Sequence, residues 1–185
     1  MSTAGWLALV GFLVVVAAIW IAFTASRLDR LHARLDAAQS ALDAQLVRRV
    51  AALRHATELV SGGDTSAPPG SGPQISAEQR ARIEALAQRA LTASGPDRQD
   101  VENEVGHAVA DIAVRGVPLT TAQRDELHES AVRVSIARRF YNDAVRDTRA
   151  LRRRRMPRLF HLAGRRELPQ FFDIDDTVPE ELGRP

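Results

Sequence analysis

Five histidines, at positions 32, 55, 107, 128 and 161, are the side chains best suited to proton transfer or metal binding near neutral pH. Their spacing gives them little to work with. No H-x-x-x-H or H-E-x-x-H arrangement occurs, and without cysteine a zinc site would need distant carboxylates. Glu104 and His107 make one Glu-x-x-His step, which di-iron helical bundles use to put both ligands on one helix face. Such sites need a second matching pair and two more inward carboxylates, and the chain has no second Glu-x-x-His. A solvated His107 is the better reading. Neither a G-x-S-x-G elbow nor a Walker or dinucleotide glycine pattern is present. The expectation is a protein with no catalytic residue, no metal ligand and no cofactor. A metal-dependent hydrolase stands as the least favoured alternative.

The stronger signal is charge. Every basic residue is arginine, and the net charge of +2 is unevenly spread. From Arg138 to Arg166 there are eleven arginines against Asp143 and Asp147; from Glu167 onward six acids face Arg184. That order suggests an anionic partner or an internal basic–acidic contact. A helix C-terminus attracts one or two cations through its dipole, whereas Arg152, Arg153, Arg154, Arg155 and Arg158 exceed that need. Anionic lipid is the expected contact for these five, and nucleic acid is the alternative.

The element that would carry them to a membrane comes first in the chain. "GWLALVGFLVVVAAIWIAFTA", Gly5 to Ala25, has no charge and the length a helix needs to cross the hydrocarbon. Trp6 and Trp20 lie toward its two ends, where indole rings favour the interface, with Arg27 and Arg30 just beyond. A basic n-region and a small-x-small cleavage site are missing, so the segment reads as an uncleaved anchor. The positive-inside rule puts residues 1–4 outside and the soluble part in the cytoplasm.

Residues 12–61 lie between Gly11 and Gly62 and suit one unbroken helix of about 75 Å. Its soluble half (26–61) has a heptad stripe at Leu28, Leu31, Leu35, Ala38 and Leu42. After a four-residue stutter the stripe resumes at Leu46, Val50, Leu53, Thr57 and Val60. Residues 62–75 are a Gly/Ser/Pro linker. Ser76 caps a second helix that should bury Ile83, Leu86, Ala87, Ala90 and Leu91 and stop at Gly95-Pro96. A third begins near Asp97 and carries Val101, Val105, Ala108, Val109 and Ile112 at helical spacing. A fourth opens with Thr120 and Gln123 as capping box and runs to about Arg155, before a basic-then-acidic segment, 156–185.

On the fourth helix, "ARRFYNDAVRD" (137–147) places Phe140 and Tyr141 at the flanks of a buried arc with Ala137, Ala144 and Val145, and Asn142 just outside it. The same segment resembles the most recognisable stretch of the LemA family of bacterial membrane-anchored helical proteins. Gln45-Leu46 with Arg48-Arg49, "ENEVGHAV" (102–109) and "MPRLFHLAGRRELPQFFDID" (156–175) are similar to further family segments, in the same order. "HATELV" stands where the family usually has a Pro-Asn-Leu-Val step. The resemblance implies one membrane span followed by an antiparallel four-helix bundle, with no accepted enzymatic activity. It also implies that Phe171 and Phe172 pack on the bundle.

The expectation is therefore all-α: a single-pass anchor in the plasma or inner membrane of a bacterium, and a cytoplasmic four-helix bundle that binds an unknown protein partner. In an up-and-down bundle Arg152–Arg155 would return to the membrane leaflet from which Arg27 emerges.

Overall fold

The computed structural model describes residues 3–62, 75–153 and 167–183. Among them the secondary structure is entirely helical: α1 (Thr3–Gly62), α2 (Ala77–Thr92), α3 (Asp97–Val114) and α4 (Thr121–Arg152), with a 3-10 turn at Glu180–Leu182. The first half of α1 is long and apolar enough to cross a membrane, and its large side chains from Trp6 to Phe23 are exposed, save the half-buried Ile21. Gly11 does not break it. A glycine inside a helix costs only about 1 kcal/mol relative to alanine. The uninterrupted run of hydrogen-bonded apolar residues on either side absorbs that cost.

The helix ends follow local chemistry. Ser76 Oγ accepts from the Gln79 amide at 3.1 Å and caps α2. Thr120 and Gln123 form the reciprocal box expected at α4. The Gln123 amide donates to Thr120 Oγ1 at 3.3 Å, and the Thr120 amide donates to Gln123 Oε1 at 2.8 Å. Helix α2 stops at Thr92, before the glycine. Gly95 and Gly116, with φ of 64° at each, make the turns after α2 and α3, where a left-handed backbone favours glycine.

Two compact units divide the chain, and α1 and α4 contribute to both. The first comprises Met1–Ala38 and Asn142–Phe171. Its buried positions are Thr24, Leu28 and Leu35 on α1 and Ala144, Val145, Thr148 and Leu151 on α4. Arg34 and Asp147 form an exposed ion pair at 3.1 Å. The second unit, Gln39–Tyr141 and Phe172–Pro185, holds two apolar clusters. The larger joins Val50, Leu53 and Ala56 of α1 to Ile83 and Ala87 of α2, Val101, Val105 and Ile112 of α3, and Leu127 of α4. The smaller joins Leu42, Leu46, Val134, Ala137 and Ile174, with Tyr141 and Phe172 packed against it.

The stripe expected on α1 is the one buried or half-buried, from Leu28 through Thr57; Val60 lies outside the residues whose side chains are described. Two other expectations are corrected. Leu91 is exposed rather than buried, because α2 turns Ile83, Ala87 and Ala90 inward and Leu91 falls one position past that seam. Phe140 is 62% exposed and is not a core residue. The inward positions of α4 follow a seam at Leu127, Ser130, Val134, Ala137, Tyr141, Ala144, Thr148 and Leu151, widened on one side by Ala131, Arg138 and Val145, which are buried or half-buried. Phe140 lies on the opposite flank of that seam, in line with the exposed Arg133 and Asp147, and so stays in solvent.

Candidate functional site

The surface with most built-in chemistry lies in the second unit, where the segment after Phe172 crosses α3 as an extended strap. The geometry explains its path. Four residues of helix rise about 6 Å, close to the rise of two residues of extended chain. Gln99 and Asn103, four apart on α3, therefore catch alternate strap amides. Gln99 Oε1 accepts from the Asp173 amide at 2.9 Å, and Asn103 Oδ1 from the Asp175 amide at 2.8 Å. Between them Ile174 turns into the smaller apolar cluster. Beyond, Asp176 takes a two-pronged pair from Arg138, Nε to Oδ2 at 3.0 Å and Nη2 to Oδ1 at 2.9 Å. The 3-10 turn then drops Leu182 into the larger cluster.

Beneath the strap is a buried ion pair. Arg49 Nη2 donates at 2.8 Å both to the Glu102 carboxylate and to the Glu102 carbonyl, and the two side chains keep 4% and 2% of their surface. Two charges so enclosed are tolerable only when matched in this way. A Cβ added at Gly106 would sit 3.5 Å from the Asp175 carbonyl and 3.7 Å from Arg49 Nη1, so strap and guanidinium both pass close to that glycine. Thr177 closes a turn on Asp175, donating its amide at 3.0 Å and its hydroxyl at 2.6 Å to Oδ1. Those two bonds, hydroxyl first, hold the Asp175 carboxyl below the usual carboxylate range; His107 and Arg138 add smaller pulls in the same direction. Burial raises Tyr141 above the usual phenol value, with Asp43 contributing.

A groove of about 410 Å³ opens between α3 and the strap. Val109, Ala110 and Val114 line it from α3, Ala131 from α4, and residues 175–181 from the strap, with Gly106, His107 and Arg49 completing the lining.

The residues singled out from sequence fall as follows. Ala137, Ala144 and Val145 are buried and Tyr141 is half-buried. Trp6, Trp20, Arg27 and Arg30 are exposed along α1. Arg152 is half-buried and donates to the Glu167 carbonyl at 2.7 Å, whereas Arg153 is exposed; Arg154, Arg155 and Arg158 lie outside the described residues. Phe171 is exposed beneath the Arg149 guanidinium, 5.2 Å from the ring centroid, and Phe172 packs on the smaller cluster. Glu104, half of the Glu-x-x-His step, is held by Arg89 through bonds of 2.8 and 3.1 Å. Among the described residues no three His, Asp or Glu side chains gather as metal ligands.

Sequence reasoning missed the Arg49–Glu102 pair and the strap. Both lie in segments that carried the family resemblance. The Gln99/Asn103 spacing was the signal for the strap, although amides at that spacing on a helix usually face water. In comparisons with protein-family models, curated proteins and solved structures, the chain matches none.

Proposed function

We propose that this is a single-pass membrane protein whose helical soluble part, an antiparallel four-helix bundle of LemA type, acts as a non-enzymatic interaction or scaffold module. Its place would be the cytoplasmic membrane of a bacterium, with the soluble part facing the cytoplasm. One observation carries the reading. Helix α1 runs unbroken from an apolar stretch that no described residue covers into a stripe whose leucines are buried or half-buried. Some twenty uncovered apolar residues are compatible with lipid and not with water. The buried Arg49–Glu102 pair also supports a packed structural role, because each charge is spent on the other rather than offered to a substrate.

Alkaline carbonate extraction of native membranes, followed by crosslinking and pull-down, tests this. The protein should stay in the pellet and bring reproducible protein partners with it. Release by carbonate would sink the anchor, and stoichiometric iron or zinc in the purified protein would sink the non-enzymatic role. A second contact, with anionic lipid, is favoured by the exposure of Arg153 at the end of α4. Anionic but not zwitterionic liposomes should then bind residues 27–185, and an Arg152–Arg155 to Gln variant should lose that binding.

A further inference from the structure

We infer that Leu168 and Phe171, just before the strap, rest on the membrane as a shallow apolar wedge in its head-group layer. This rests on the anchor and antiparallel readings above and adds a lipid contact that needs no anionic head group. Both side chains stand at the surface, Leu168 49% and Phe171 41% exposed, on irregular backbone. Helical rise sets their depth. The hydrocarbon edge falls near Ala25, where the apolar stretch ends. Arg34 lies nine residues beyond it, about 13.5 Å along α1, and pairs with Asp147 of α4 at 3.1 Å. From Asp147 the returning α4 descends five residues, about 7.5 Å, to Arg152. Arg152 thus stands about 6 Å from the hydrocarbon edge, and it donates to the Glu167 carbonyl at 2.7 Å. The head-group layer is itself about 5–7 Å deep on each side. Leu168, the next residue, therefore lies in that layer. Phe171 lies further out, under Arg149, whose guanidinium is 5.2 Å from the ring centroid. Arg149 is three residues back along α4, about 4.5 Å farther from the hydrocarbon than Arg152.

The chemistry suits that depth. Irregular backbone is not tolerated against hydrocarbon, so the hydrated head-group layer is as deep as this segment can go. A leucine, and a ring with a guanidinium over one face, are side chains that interfacial segments insert there. Charge does not choose the partner, because exposed Arg27, Arg30 and Arg153 near this level are offset by exposed Asp29 and Glu167. A soluble protein would have to reach within about 6 Å of the hydrocarbon, through space that head groups already fill. Two side chains are too few to hold a chain on a zwitterionic vesicle, so the wedge acts only beside the anchor.

The chain has no cysteine, so one nitroxide label can be placed at a chosen site. The full chain, labelled through Val15→Cys, Leu168→Cys, Phe171→Cys or Ala37→Cys, goes into nanodiscs of zwitterionic phosphatidylcholine. Power-saturation EPR compares collisions with oxygen, which enters lipid, and with a water-soluble nickel chelate. The oxygen-to-nickel ratio should fall in the order Val15, Leu168, Phe171, Ala37. Ala37 is an exposed reference twelve residues past Ala25, about 18 Å into water. Equal ratios at the Leu168 and Ala37 sites overturn the proposal. So does a label at the Leu168 site shielded from both reagents, which would mean that a protein or a second copy covers it. A higher ratio at the Phe171 site than at the Leu168 site would refute the depth order and the wedge with it. If the Val15 site reports lipid and the Leu168 site reports water, the wedge is wrong while the anchor stands. A Val15 site that reports water would sink the anchor and the wedge together.

Discussion

Arg49 and Glu102 show how much one enclosed contact can decide. With 4% and 2% of their side chains exposed, neither can recover water if the other is lost. Arg49→Met or Glu102→Leu alone should therefore cost about 3–5 kcal/mol. The double replacement should be nearly neutral. Chemical denaturation of the four proteins checks this, and additive losses in the double variant would refute it. Thr148 offers the opposite case. It is fully buried, and among the described residues its hydroxyl has no hydrogen-bond partner. Thr148→Val, which keeps the shape and removes the orphan, should raise stability by about 1 kcal/mol in a thermal shift assay. Phe140→Ala should change stability by no more than about 0.5 kcal/mol, because the ring is already in solvent. The same sequence segment thus holds a buried alanine that matters for packing and an exposed phenylalanine that does not.

At the scale of elements, the helices and their caps were legible because each rests on local rules. Ser76, Thr120 and Gln123 cap where spacing predicts, and the α1 stripe faces inward from Leu28 to Thr57. Thr120→Ala should accordingly cost about 1 kcal/mol, read as a lowered melting temperature. Phe140 and Leu91 were misread because seam width depends on how closely a neighbouring helix approaches, which one helix's sequence does not state. The strap was illegible for a different reason. Its amides pair with side chains of α3 rather than with another strand, so no alternating strand pattern is required. Its stability should depend on acid. Asp175 is held below its ordinary value in the folded chain. Its contribution is therefore complete above the unfolded carboxylate value and lost as pH falls through the lower folded one. An NMR titration should show the Thr177 amide shifting only at pH below the ordinary aspartate range. In Asp175→Asn that shift should vanish.

For the molecule as a whole, the apolar start of α1 and the helical remainder make one testable object. Protease added to intact cells should spare residues beyond the anchor, because Arg27, Arg30 and Arg34 favour the cytoplasmic side. Surface cleavage would reverse that orientation. The strap adds a consequence in time. It follows α4 in chain order yet completes both apolar clusters of its unit, through Ile174 and Leu182. At about 5–20 residues per second, a ribosome that has just made Arg152 needs roughly two to six seconds to reach Leu182. Throughout that interval the nascent chain presents the sockets for both residues uncovered, after its apolar start has already emerged. Newly made protein should therefore be most open to chaperones, and to wrong partners, between the synthesis of α4 and that of the strap.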